Sequence, residues 1–126
     1  MRLLLDTNVV LGRYSLARPL GPRARELLGG ADELVVSVVV FVEVGIKVRV
    51  GKLPVPDALE NRVRRDGIRI LGLTPAHGLA VGSLPLHHRD PFDRLMIVQA
   101  EAEGLTILTA DQGFSAYDVP VLDALA

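Results

Sequence analysis

Two aspartates in this chain of 126 residues stand directly behind apolar, strand-like runs. Asp6 follows RLLL and precedes Thr7 and Asn8, while Asp111 comes just after TILT. In an open parallel sheet, ligands collect outside the carboxyl ends of the strands, near the point where strand order reverses. Both acids therefore sit where a site would form. An aspartate after a buried strand also commonly caps the helix that follows, and for Asp6 alone both readings stand. Asp90 and Asp93 lie in HRDPFDR, where Asp90-Pro91 reads as a helix cap with proline at the first position. Asp93 then falls in the first turn, where an acid favours the helix dipole. Glu43 is a lone carboxylate inside VVVFVEVGI. It is either an exposed position on an amphipathic element or a buried acid that needs a partner charge.

Carboxylates gathered in one cleft repel one another. At ~4 Å each close pair costs on the order of 4 kcal/mol at an effective dielectric of about 20. Such a cluster persists only if some acids are protonated or a cation sits among them. Hard oxygen donors without Cys select Mg²⁺, with Mn²⁺ an acceptable substitute. Those ions serve phosphate chemistry, activating water and stabilising charge on phosphoryl oxygens. His87 and His88 precede Asp90, and His77 lies further upstream. The adjacent pair lacks the i,i+4 spacing of a helical metal motif. All three histidines read as polar residues outside the chemistry.

The elements that must hold these acids alternate. Residues 2–5 read as a buried strand, Pro22 opens a helix that Gly29-Gly30 ends, and residues 33–37 form a second strand. A helix is expected from Asp57 to Gly67, a strand over 68–71 and a short helix after the Thr74 cap. Asp90 starts a further helix that ends at Gly104, and TILT (106–109) is a fourth strand. Residues 119–122 read as a short edge strand that tolerates its proline. The order β-α-α-β-α-α-β-α-α-β-β argues for an α/β fold with a mainly parallel sheet of four to five strands, covered by helices in three layers. Residues 38–50 are in conflict. Val42, Val44, Ile46, Val48 and Val50 alternate with Glu43, Gly45, Lys47 and Arg49. Propensity and period favour a strand, while Ser37 offers a helix cap.

Composition narrows the function classes. The length suits one domain over residues 1–126, large enough for a core without staples. Cysteine is absent, which removes disulfides, thiolate catalysis and Cys-type zinc sites. The leading LLL is too short for a secretory core and no run reaches membrane-spanning length, so a cytoplasmic protein is expected. The net charge of −1 conceals an asymmetry: residues 1–94 hold all 14 bases against 10 acids, and residues 95–126 hold 5 acids and no base. The bases bunch at Arg13, Arg18, Arg23 and Arg25, at Lys47, Arg49 and Lys52, and at Arg62, Arg64 and Arg65. Such runs suit a polyanion, although solvated helix faces give the same pattern.

Taken in order, LLLDTNVVL, VVSVVVFVEVGIKVRVGKL, HRDPFDRLMIVQA and LTILTADQGF resemble the PIN-domain nucleases, specifically VapC-type toxins of toxin–antitoxin systems. The resemblance spans nearly the whole chain. It implies that Asp6, Glu43, Asp93 and Asp111 form an acidic metal site, with Asn8, Ser37 and Thr109 close by. It also implies that Glu43 rides on a helix capped by Ser37, against the local strand signal. By the same resemblance the activity is metal-dependent hydrolysis of RNA, with Arg13, Arg89 and Arg94 near the substrate. A cognate antitoxin partner and a homodimer follow from it too. A non-catalytic RNA-binding module on the same fold is the alternative. An aspartate-nucleophile phosphatase fits poorly, because that pattern wants a second aspartate where Asn8 stands.

Overall fold

The computed structural model describes residues 1–14 and 19–126, so Arg18 lies outside the described residues. A five-stranded sheet runs in the order β3-β2-β1-β4-β5. Its strands are β1 (Arg2–Leu5), β2 (Glu33–Ser37), β3 (Arg69–Leu71), β4 (Thr106–Thr109) and β5 (Val121–Asp123), and every pairing is parallel. Leu3 faces Leu34 on one side and Thr106 on the other. Leu3, Leu4 and Leu5 are fully buried, so β1 is covered on both faces. That is the burial expected of a central strand in a parallel sheet.

Parallel neighbours need crossovers, and helices supply them. They are α1 (Thr7–Arg13), α2 (Pro22–Gly30), α3 (Val38–Arg49), α4 (Leu59–Arg65), α5 (Pro75–Ala80) and α6 (Pro91–Glu103). The chain builds β1, β2 and β3 outward in one direction, then returns to lay β4 on the other side of β1. The reversal of strand order therefore falls between β1 and β4. No helix among the described residues is long and apolar enough to cross a membrane.

The disputed segment is helical. Ser37 Oγ accepts the Val39 amide at 3.1 Å and opens α3, which buries Val39, Val40 and Val44. The helix packs on α1, α6 and β2. Tertiary burial thus overrides the strand propensity of its valines. The cost is visible on the outer face, where Val42 and Ile46 remain exposed. Smaller corrections concern boundaries. The helix expected from Asp57 begins at Leu59, behind Ala58 in a left-handed conformation. The strand expected over 68–71 is Arg69–Leu71, and the edge strand expected over 119–122 is Val121–Asp123. Helix α6 ends as anticipated at Gly104, whose φ of 65° suits a residue without Cβ.

Candidate metal centre at the carboxyl ends of the strands

Asp6 and Asp111 flank the reversal point, one after β1 and one after β4. Asp6 is the helix cap that its sequence context allowed, and its second oxygen is tied to the neighbouring strand. Its Oδ1 accepts the Thr7 amide at 2.7 Å, capping α1, and its Oδ2 accepts the Thr109 hydroxyl at 2.6 Å. Thr109 Oγ1 also accepts the Asp111 amide at 2.9 Å. One hydroxyl at the end of β4 therefore ties both acids to the sheet. Asp111 in turn accepts the Gly113 amide through Oδ1 at 2.8 Å and caps the short 3₁₀ turn that follows.

Helices bring the remaining acids. Asp90 caps α6 by accepting the Phe92 and Asp93 amides, which leaves the Asp93 side chain free to point elsewhere. Asp93 is buried on the first turn of α6. Glu43 comes from α3, where Thr7 Oγ1 donates to its Oε1 at 3.2 Å and Lys47 Nζ lies 3.2 Å from its Oε2.

The electrostatics show that these acids share one region. Burial pushes the Asp6 carboxyl above its ordinary range; the Thr109 and Thr7 hydrogen bonds oppose that, and the charges of Glu43 and Asp111 add to it. Asp93 is pushed up to about 8, first by burial and then by the charges of Asp6 and Asp90, with Glu43 contributing. Asp111 is held low, chiefly by its hydrogen bond with His88. His88 is raised, chiefly by that same bond. The Asp90 amide aimed at Nδ1 works against the charged form, because a protonated Nδ1 could not accept it.

His88 is the residue that sequence reasoning set aside. Its Nε2 lies 3.0 Å from Asp93 Oδ2 and 3.0 Å from Asp111 Oδ2. Ligand atoms of His88, Asp93 and Asp111 fall within 4.8 Å of one another. Thr7 was also missed. It is buried and reaches Glu43, whereas Asn8 lies on the exposed side of α1. Ser37 is buried at the end of β2 and serves as the α3 cap.

The arginines divide. Arg89 is exposed beside the cluster. Arg94 is committed inward: its guanidinium donates to the carbonyls of Val81, Leu84 and Pro85 at 2.9–3.1 Å. It clamps the loop ahead of α6 rather than offering itself to a phosphate. Arg13 lies 3.4 Å from Asp66, which also accepts the Tyr14 hydroxyl at 2.7 Å. That pairing turns it toward α4. His77 is buried in a capping box with Thr74 at the start of α5, so its polarity serves the helix end. His87 is exposed, with its ring edge-on to Tyr117.

A parallel α/β sheet thus carries an acidic cluster near its reversal point, with ligand atoms of His88, Asp93 and Asp111 close together. The chain belongs to the PIN domain family, whose model matches residues 3–120. No curated protein matches the sequence. Several solved structures share the fold. FitAcB from Neisseria gonorrhoeae matches with a TM-score of 0.71 and 21% identity, covering 97% of each chain. VapBC2 from Rickettsia felis, bound to a DNA fragment from its promoter, matches with a TM-score of 0.69 and 17% identity over 98% of each chain. A toxin–antitoxin complex from Klebsiella pneumoniae matches with a TM-score of 0.66 and 16% identity over 97% of each chain.

Proposed function

We propose that this chain is a metal-dependent endoribonuclease of the VapC type, the toxin half of a toxin–antitoxin pair. The observation that carries the reading is the grouping of Asp93 and Asp111 with His88, ligand atoms within 4.8 Å of one another, beside the buried Asp6 at the ends of the strands. Acids arranged this way repel unless a proton or a cation joins them. The donor set, mostly hard oxygens with His88 at its edge, fits Mg²⁺ or Mn²⁺. Asp6 and Asp93 would be the principal holders, with Glu43 and Asp111 completing the set. When bound, the cation supplies Lewis acidity toward water and the phosphoryl oxygens of RNA.

The chain's own groups do the rest. Thr109 holds the Asp6 carboxylate and the Asp111 backbone amide through one hydroxyl, so Asp6 presents a set orientation from the sheet. Thr7 aligns Glu43. Arg89 is exposed next to α6 and suits a backbone phosphate of the substrate. Hydrolysis adds water across a P–O bond, with no covalent bond to the protein. An antitoxin would silence the enzyme by covering the cluster and placing a basic side chain among the acids. The resemblance to toxin–antitoxin complexes supports that partner. The exposed Val42 and Ile46 on α3, with Val50 at its C-cap, offer an apolar face to a second copy in a homodimer.

The test is direct. Purified chain, freed of any antitoxin, is incubated with RNA and Mn²⁺, with and without chelator, beside Asp6→Asn and Asp93→Asn. Cleavage should require the cation and fail in both variants. Cleavage that survives chelation, or both substitutions, would refute the metal-nuclease reading. Cation-dependent RNA binding without cleavage would point instead to a binding module.

A further inference from the structure

We propose that His88 is a positioning residue of the acidic cluster, a fixed Nε2–H donor that holds Asp93 and Asp111 together for a divalent cation. The inference rests on the metal-nuclease reading above. It starts from how firmly the ring is held. The Asp90 amide lies 3.2 Å from Nδ1, and the ring packs edge-on against the fully buried Phe114. The His88 amide donates to the Tyr117 hydroxyl at 2.6 Å. Gly113 supplies the remaining wall: a Cβ there would lie 2.8 Å from His88 Cδ2 and 3.2 Å from Nε2. The φ of Gly113 lies outside the left-handed region, so close neighbours rather than backbone geometry exclude a side chain. His88 Nε2 and Cδ2 are two of those neighbours, and Asp111 Oδ1, 3.1 Å from the same point, is the third.

The Asp90 contact fixes the tautomer. An amide N–H pointing at Nδ1 requires a lone pair there, so the proton of the neutral ring resides on Nε2. Nε2–H faces the two carboxylate oxygens, each at 3.0 Å. A direct metal ligand would need the opposite tautomer and would lose the Asp90 bond. Asp111 has particular need of the donor. Its side chain is 41% exposed on a turn, and Gly113 engages only Oδ1. Without His88, Oδ2 has no partner to set the carboxylate plane. Groups of this kind typically govern metal affinity by 10- to 100-fold without touching the ion.

The experiment measures Mn²⁺ affinity of the full chain by electron paramagnetic resonance, with thermal melts as the control for folding. Wild type is compared with His88→Leu, His88→Gln and Gly113→Ala. His88→Leu should weaken Mn²⁺ binding about tenfold or more. His88→Gln keeps an N–H donor near the same place and should bind within about threefold of wild type. Gly113→Ala should weaken binding by displacing the ring while His88 remains. If His88→Leu fails to fold, the glutamine and alanine variants carry the same comparison. The inference is overturned if His88→Leu binds like wild type, if glutamine rescues no better than leucine, or if the Mn²⁺ spectrum shows nitrogen coupling from His88. A wild type that binds no Mn²⁺ would remove the metal reading itself, and this inference with it.

Discussion

The two ends of one sheet treat acids in opposite ways. At the amino ends, Glu33 opens β2 between Arg2 of β1 and Arg69 of β3. The arginine nitrogens lie 3.3 and 3.0 Å from Glu33 Oε1, and the Arg69 hydrogen bond holds the carboxyl below its ordinary value. At the carboxyl ends, Asp6 and Asp93 are buried with no arginine against either among the described residues, and both are raised. The same scaffold thus pairs an exposed acid with two arginines at one end, while at the other only Lys47 and His88 stand against a buried group of acids.

The largest expected effect breaks this symmetry outright. Asp93→Asn or Asp6→Asn should cut Mn²⁺-dependent RNA cleavage by more than about 100-fold, since loss of mere supporting groups already costs 10- to 100-fold. Glu33→Gln should leave cleavage within about twofold, because exposed ion pairs contribute little. Equal losses at both ends would mean that the comparison measures folding and not function.

The second effect is a pH dependence of opposite sign at the two ends. Asp93 has a folded pKa of about 8 against an ordinary 3.8. The folded, metal-free protein therefore binds the extra proton. Its stability from this group is full below the ordinary value and is lost as pH rises through about 8. The metal-free stability should fall from pH 5 to pH 8 by on the order of a few kcal/mol, and the melting temperature should fall with it. Asp93→Asn should flatten that slope, and Mn²⁺ should raise the wild-type melting temperature most at the alkaline end. Glu33 has a lowered pKa, so its contribution is present above its ordinary 4.5 and fades on acidification. Scanning calorimetry of the metal-free chain from about pH 3 to about pH 8, with and without Mn²⁺, covers the fade of Glu33 below 4.5 and the loss from Asp93 above it, and so checks both signs.

Much of the fold was legible in the sequence, for local reasons, whereas the pairing of Glu33 with Arg2 and Arg69 was not read there. LLL and TILT mark buried strands because a parallel sheet covered on both faces reads as unbroken apolar residues. Thr74-Pro75, Asp90-Pro91 and Gly104 mark helix ends through their own backbone preferences. Residues 38–50 were not legible from local physics, because valine propensity is weaker than the burial of Val39, Val40 and Val44 against the sheet and α6. Only the Ser37 cap and the family resemblance pointed to the helix there. His88 was hidden for a different reason. Its contact with Asp90 is local, but the contact with Asp111 spans 23 residues and depends on the absence of a side chain at Gly113. Arg94 misled in the other direction: a base beside the acids looked like a substrate contact, yet the loop carbonyls claim it.

A third prediction sharpens the comparison within the carboxyl end. Thr109→Val keeps shape and removes the hydroxyl that donates to Asp6 and accepts from the Asp111 amide. Mn²⁺ affinity should fall about tenfold, as for other groups that orient ligands. The effect on the metal-free fold at pH 8 should be smaller, because a repelled Asp6 loses a partner that only partly offset its burial. Calorimetric titration with Mn²⁺ beside a metal-free melt separates the two. An unchanged affinity would free Asp6 from dependence on β4.

The smallest effect tests the quiet end. Arg69→Gln removes the shorter of the two contacts to Glu33 and leaves Arg2 in place. Both arginines and Glu33 are at least a third exposed, so water already screens the pair. The melting temperature should drop by less than about 3 °C, and the difference should shrink in about 0.5 M salt as screening shortens the range of the interaction. Metal affinity and RNA cleavage should not move, because the substitution lies at the opposite end of the strands from Asp6 and Asp93. A loss of Mn²⁺ binding in Arg69→Gln would show that the amino-end arginines act along the sheet on the acids. The two ends would then be one electrostatic system rather than two.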